Sequence, residues 1–215
     1  MRFEGGSPSG SLNKRALRGS LWLPSLETLT VCHVPLSDPQ FFRFLIHIDE
    51  ALAAEAQAAG CPCGGVLHRA NYPRKPRGCP ASVRADYSTR LSFCCSQCRR
   101  RTTAMSVRFL GRRVWLGWVV VLGSTRPAGP NTAAARLSEA LAIPWRTVAR
   151  WRRWWREDFV QTSLWRVLGA RFLPPVGAAE LPAGLLERLT GPGHEPLRRL
   201  LALLTPLTIT APEGR

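Results

Sequence analysis

Apolar residues recur at helical spacing from Phe41 through Phe42, Leu45, Ile48 and Leu52, which predicts a helix with one greasy face. Asp38-Pro39 ahead of this run is a start signal, an acid at the N-cap followed by proline in the first helical position, and Gly60 behind it is a stop. The predicted helix, residues 38–60, carries little positive charge. Its apolar face is expected to pack on the rest of the chain or on a second copy, so a homodimer through this helix is one expectation. His47 within it reads as a structural histidine. Residues 61–106 show short apolar pieces broken by proline and glycine and no helical period, which reads as turns and short strands. Residues 107–123 return to helix or buried strand. A Pro/Gly loop at 126–131 precedes two helices separated by a short break, residues 132–159.

The second half of that pattern is the most regular in the chain. Leu137 and Leu141 share one face of residues 134–143, Pro144 breaks the run, and Val148, Trp151 and Trp155 then fall three and four apart. Arg146, Arg150 and Arg153 fall on another face of the same segment. An apolar stripe against partner helices and a basic face toward solvent is how a recognition helix is built. Residues 112–123 would supply the first helix of a three-helix unit spanning 107–160. In that reading Arg146, Thr147 and Arg150 sit where base edges are read, and Arg153 and Arg156 lie further along, where phosphate contact is expected. A surface helix with solvated arginines and an Arg/Trp helix lying on a membrane surface are the competing readings. Residues 161–215 are proline-punctuated, with short leucine-rich helices at 185–189 and 197–204. Residues 1–37 are rich in Gly, Ser and Pro, lack periodicity and read as a flexible tail. The fold class expected is therefore mainly α with a small zinc-ribbon β element, a helix-turn-helix unit and flanking helices.

Charge sharpens this picture. The 215 residues carry a formal net charge of +16 and a pI near 11.3, and the only lysines are Lys14 and Lys75. Arginine grips phosphate through a planar fork, and an excess of this size draws a polyanion by field alone. High-GC codon bias explains arginine in place of lysine but not the scarcity of acids. The apolar fraction of 45% is that of a folded protein. The longest apolar run, residues 114–123, is too short to span a bilayer and is flanked by Arg112, Arg113 and Arg126. With no signal-like apolar core in residues 1–20, a cytoplasmic, nucleoid-associated protein is expected, with no membrane partner.

Seven cysteines in a reducing setting read as metal ligands before disulfides. Cys61-Pro62-Cys63-Gly64-Gly65 and Cys94-Cys95-Ser96-Gln97-Cys98 place two close pairs a few tens of residues apart, the pattern of a structural four-thiolate zinc site. The ligands expected are Cys61, Cys63, Cys95 and Cys98, with Cys94 an alternative to Cys95 and Cys79 a possible substitute. Buried free thiols are the plainer reading. The first pair departs from the usual knuckle, since only Pro62 intervenes. Cys32-His33, in the tail, reads as incidental. Between the pairs, Arg74, Lys75 and Arg77 lie in a proline-extended stretch that reads equally as an arm for a narrow minor groove or as a solvated loop. Arg99, Arg100 and Arg101, directly after Cys98, read as a phosphate clamp.

Taken together, residues 61–159 resemble the N-terminal region of bacterial insertion-sequence transposases, a zinc ribbon followed by a helix-turn-helix that binds the element's ends. The stretch from Cys98 through Arg101 and then Val114-Trp115-Leu116-Gly117-Trp118 is similar to the end of such a ribbon entering the first helix. Leu137–Ile143 followed by Thr147–Trp151 is similar to the helix-turn-helix. The resemblance covers a little under half the chain. It implies double-stranded DNA as partner and a transposase or integrase as a possible second one. It stops short of catalysis: those enzymes hold magnesium with Asp/Asp/Glu, and after Asp158 this chain has only Glu180, Glu187, Glu195 and Glu213. The expectation is a DNA-binding accessory protein or transposase-derived fragment, not an enzyme. A zinc-dependent nuclease or deaminase is the alternative, although no His-x-Glu occurs. An RNA-binding ribbon is another, with Tyr72 and Phe93 the candidate stacking residues.

Overall fold

The structure, a computed structural model, describes residues 38–125 and 133–209. Its first helix, α1 (Pro39–Ala58), starts where the capping residues put it. The Asp38 carboxylate accepts the Gln40 N–H at 2.9 Å, Pro39 takes the first turn, and Gly60 just past the end has φ +72°. The buried stripe is Phe41, Phe42, Leu45, Asp49 and Ala53, one residue off the expected line through Ile48 and Leu52, which are half-buried. The apolar face, expected to pack on the rest of the chain or on a second copy, packs within the chain.

Five short strands follow. β1 (Leu67–Arg69), β4 (Ser92–Cys95) and β5 (Arg101–Thr103) form an antiparallel sheet in the order β1-β4-β5, with Leu67 opposite Cys95 and Phe93 opposite Thr102. β2 (Tyr72–Pro73) and β3 (Thr89–Arg90) pair separately. The expected helix from residue 112 begins later, as α2 (Gly117–Ser124). Residues 113–116 cannot join it because their backbone is spent elsewhere: Arg77 donates to the Val114 carbonyl at 2.7 Å and accepts from Leu116 at 3.1 Å. Every residue of α2 is buried, as a helix apolar on all sides must be.

α3 (Ala133–Ala140) and α4 (Trp145–Glu157) both pack on α2. Ala142 stands between them in the left-handed region, φ +49°, a conformation that ends a right-handed helix at a cost of about 1–2 kcal/mol. Ile143 beyond it is buried and Pro144, extended, occupies the N-cap of α4. Two proline-flanked helices, α6 (Ala183–Arg188) and α7 (Glu195–Leu203), come after α5 (Ser163–Gly169).

The main core runs across the boundaries expected at 106 and 160. It joins Phe42 and Leu45 of α1, Trp118 and Val121 of α2, Trp151 and Trp155 of α4, and Leu185, Leu197 and Leu200 near the C-terminal end. A second, smaller core gathers Ala53, Cys61, Leu67, Phe93, Cys95 and Ala104. α1 contributes to both. Between its two ends Asp49, fully buried, accepts from Arg108 Nε at 2.7 Å, the Ser106 hydroxyl at 2.5 Å and the Val107 N–H at 2.7 Å. Roughly half of the described residues are helical, so the mainly α class holds with a small antiparallel sheet beside it.

Candidate metal centre

The sheet brings the two cysteine pairs together. Cys61 and Cys63 sit on a tight turn closed by the Gly64 N–H on the Cys61 carbonyl, 2.8 Å. Cys95 ends β4 and Cys98 lies in the turn to β5, which is closed by the Cys95 N–H on the Arg100 carbonyl at 3.0 Å. The four sulfurs lie within 4.8 Å of one another. The separations are 3.4 Å for Cys61–Cys63, 3.4 Å for Cys63–Cys95 and 3.5 Å for Cys61–Cys98. A disulfide has its sulfurs about 2.05 Å apart, and all four cysteines are free thiols. Sulfurs about 2.3 Å from a tetrahedral zinc lie roughly 3.8 Å from one another. The cluster therefore has the size of a metal cage.

Backbone donors are aimed at the sulfurs as well. Cys61 accepts from the Cys63 N–H, Cys63 from the Gly65 N–H, and Cys95 from the N–H groups of Cys98 and Gln97. Such bonds favour thiolate, the form that binds metal. The Gly65 N–H, with the neighbouring Cys95 and Cys61 thiols, pulls Cys63 down to about 6. The Cys98 N–H lowers Cys95 in the same way. The Cys63 N–H also favours the Cys61 thiolate, yet sharing hydrogens with Cys63, and then burial, push Cys61 up to about 12. Gly65 has no room for a side chain: a Cβ there would stand 2.6 Å from Cys95 Sγ. The single-residue spacer at Pro62 does not prevent the pair from converging.

The two alternative ligands lie elsewhere. Strand alternation turns Cys94 to the opposite face from Cys95, with its Sγ 3.5 Å from the Arg99 carbonyl. Cys79 packs against the main core, and burial pushes its thiol up to about 11. Cys32 and His33 fall outside the described residues.

The arginines expected to touch nucleic acid are placed differently from one another. Arg146, Arg150, Arg153 and Arg156 are exposed on α4, Thr147 is half-buried, and Val148, Trp151 and Trp155 are buried beneath. Arg153 faces Glu157 at 3.9 Å and Arg156 Nε donates to the Arg152 carbonyl at 3.2 Å. Arg99 and Arg100 are exposed, Arg99 in the left-handed region with φ +58°. Arg101 is turned back onto the sheet, donating to the Ala70 carbonyl at 2.5 Å and the Ser92 hydroxyl at 2.9 Å. Arg74 is half-buried, its Nη2 on the Arg113 carbonyl at 2.6 Å. Arg77 lies over the Trp115 ring, 5.8 Å from its centroid, while Lys75 is exposed. The stretch is therefore pinned: the Arg74 N–H binds the Ser88 carbonyl at 2.6 Å, and Arg77 is bridged to Trp115.

The buried Asp49–Arg108 pair is all but invisible in the sequence pattern. Its one signal is that Asp49 falls in the i, i+4 row Phe41, Leu45, Asp49, Ala53.

The fold and its centre define a mainly helical protein with a small antiparallel sheet and a four-cysteine cluster that can hold a metal ion. No protein-family model, curated protein or solved structure matches the chain, and no helix among the described residues is long and apolar enough to cross a membrane.

Proposed function

We propose that this chain is a zinc-stabilised, double-stranded-DNA-binding protein, sequence-specific or directed to the ends of a mobile element. The observation that carries the proposal is α4. Three buried residues, Val148, Trp151 and Trp155, fix the helix, and Arg146, Arg150, Arg153 and Arg156 project from it into solvent. A compact turn joins it to α3 and both helices rest on α2, an arrangement compatible with a helix-turn-helix. Zinc suits four thiolates in a tetrahedron, as soft ligands select it over hard cations. The net charge of +16 supplies the long-range attraction to a polyanion.

In this reading Arg146, Thr147 and Arg150 read base edges, and Arg153 and Arg156 take phosphates. Arg99, Arg100 and Lys75 are further phosphate contacts, whereas Arg74 and Arg101 are occupied within the protein. The chain acts as an accessory to a transposase or integrase, or derives from one, and works at the nucleoid. Glu180 bonds the Gly177 N–H at 3.1 Å and Glu195 pairs with Arg198 and Arg199. No carboxylate chemistry is assigned to them.

Salt-titrated binding to duplexes selected from a random pool tests the proposal. Arg150→Ala is expected to lose roughly 1–3 kcal/mol of discrimination between selected and scrambled duplexes while keeping much of the non-specific affinity. Arg153→Ala is expected to weaken both equally and to make the logarithmic salt slope shallower by about one unit. If the zinc-loaded protein does not bind duplex DNA, or if neither variant alters binding, the proposal fails.

A further inference from the structure

Arg146, Arg150 and Trp154 occupy one i, i+4 row of α4, so they are neighbours a helical turn apart. The first two are exposed arginines. The third position, where a cation would continue the row, holds the half-buried Trp154 ring. A cation is there nevertheless: Arg113, from the segment before α2, lies over that ring with Cζ 4.3 Å from its centroid. Two separate contacts hold Arg113 in place. Its carbonyl accepts from Arg74 Nη2 at 2.6 Å, and its own N–H donates to the Leu110 carbonyl at 3.4 Å.

Among the described residues neither Arg113 nor Arg150 is in an ion pair; the pair on this helix is Arg153 with Glu157, at 3.9 Å. Burial, and then the charge of Arg150, lower Arg113 from the ordinary guanidinium range, with Asp158 acting in the opposite direction. Two like charges side by side, one of them half-buried, are stabilised by an anion that both can reach. Stacking on a ring leaves the edge of a guanidinium, where its N–H donors lie, open to such an anion.

We infer that Arg113 is a contact to a DNA backbone phosphate, contributed from outside α4 and laid beside Arg150 by stacking on Trp154. The inference rests on the DNA-binding reading above and extends it to a residue on another element. Arg113 anchors the duplex next to the base-reading turn, and Trp154 is the positioning residue. Such an anchor carries no sequence information, so it acts on all duplexes alike.

The test is fluorescence anisotropy of the full-length, zinc-loaded chain with a mixed-sequence duplex over a salt series. Thermal melting of each variant confirms its fold. Arg113→Ala is expected to weaken binding roughly tenfold, equally for selected and scrambled duplexes, and to make the salt slope shallower by about one unit. Arg113→Lys keeps the slope but loses part of the affinity, because an ammonium does not lie flat on the ring. Trp154→Phe retains most of the binding and Trp154→Leu does not. The double variant Arg113→Ala/Trp154→Leu is expected to be no weaker than Arg113→Ala alone. An unchanged salt slope in a folded Arg113→Ala protein overturns the inference, whatever its affinity, and so do additive effects in the double variant. If that happens while Arg150→Ala still alters binding, only this inference falls. If the wild-type protein binds no duplex, the DNA-binding reading falls with it.

Discussion

Gly65 and Asp49 show how much one position decides. At Gly65 the backbone passes so close to the cysteine cluster that a methyl group would stand 2.6 Å from Cys95 Sγ and 3.0 Å from Gln97 Cγ. Gly65→Ala is expected to displace the sulfur and weaken metal retention roughly tenfold or more, measured by competition with a chromogenic chelator; unchanged retention would show that the turn yields without cost. Asp49 is fully buried and accepts from Arg108, Ser106 and Val107 at once. Arg108 also donates to the Asp86 carbonyl at 2.9 Å and lies over the Tyr87 ring. Asp49→Ala leaves that guanidinium buried without its counter-charge and is expected to cost about 3–5 kcal/mol. Replacing both partners, as Asp49→Ala/Arg108→Met, is expected to be less destabilising than Asp49→Ala alone. Denaturant midpoints decide this, and a single variant within about 0.5 kcal/mol of wild type would mean the pair adds little.

At the scale of the element, α4 separates stability from surface chemistry within thirteen residues. Trp151 is 2% exposed and meets Trp115 edge to face at 5.9 Å. Trp155 is fully buried and meets Phe159 at 4.7 Å. Trp151→Ala is expected to lose roughly 3–5 kcal/mol, whereas Arg150→Ala, one position away, stays within about 0.5 kcal/mol of wild type. Urea unfolding followed by tryptophan fluorescence measures both. Equal losses would mean that the two faces are not distinct. The short turn before α4 belongs to the same design: Ala142 in the left-handed region and Pro144 at the N-cap fix the angle at which the second helix leaves the first.

For the whole molecule, the two cores differ in what sustains them. The main core is made of large apolar side chains from α1, α2, α4, α6 and α7. The smaller one has few such residues and includes two of the clustered cysteines, Cys61 and Cys95, a cluster that could hold a metal ion; structural zinc is worth on the order of 10–16 kcal/mol in small modules. Purified under reducing conditions, the protein is expected to carry about one zinc per chain. Chelation is expected to expose the amides of β1, β4 and β5 to hydrogen exchange while most helical ellipticity persists. Metal-free, folded protein with a protected sheet would refute this. Because α1 enters both cores and Asp49 lies between them, loss of the metal is also expected to reach the helical core as a modest fall in its melting temperature.

Periodicity and local chemistry were enough to place α1, its caps, α4 with its two faces, and the leucine-rich helices near the end. Those features depend on residues a few positions apart, which sequence displays directly. The four cysteines were legible for the same reason: two pairs, each on one tight turn. Three things required the folded chain. Which side of β4 faces the other three cysteines placed Cys95 rather than Cys94 in the cluster, because strand alternation has meaning only once the sheet is formed. The backbone pairing of Arg77 with residues 114–116 delayed α2 to Gly117, and no local pattern records a partner nearly forty residues away. The fate of each arginine was also decided in three dimensions. Arg74, Arg101 and Arg108 are tied back to the protein by carbonyls, a hydroxyl or a carboxylate, and Arg113, outside any helix, lies over the Trp154 ring of α4. A charge count treats all of these as equal; only the tertiary structure supplies the acceptors, rings and desolvation that tell them apart.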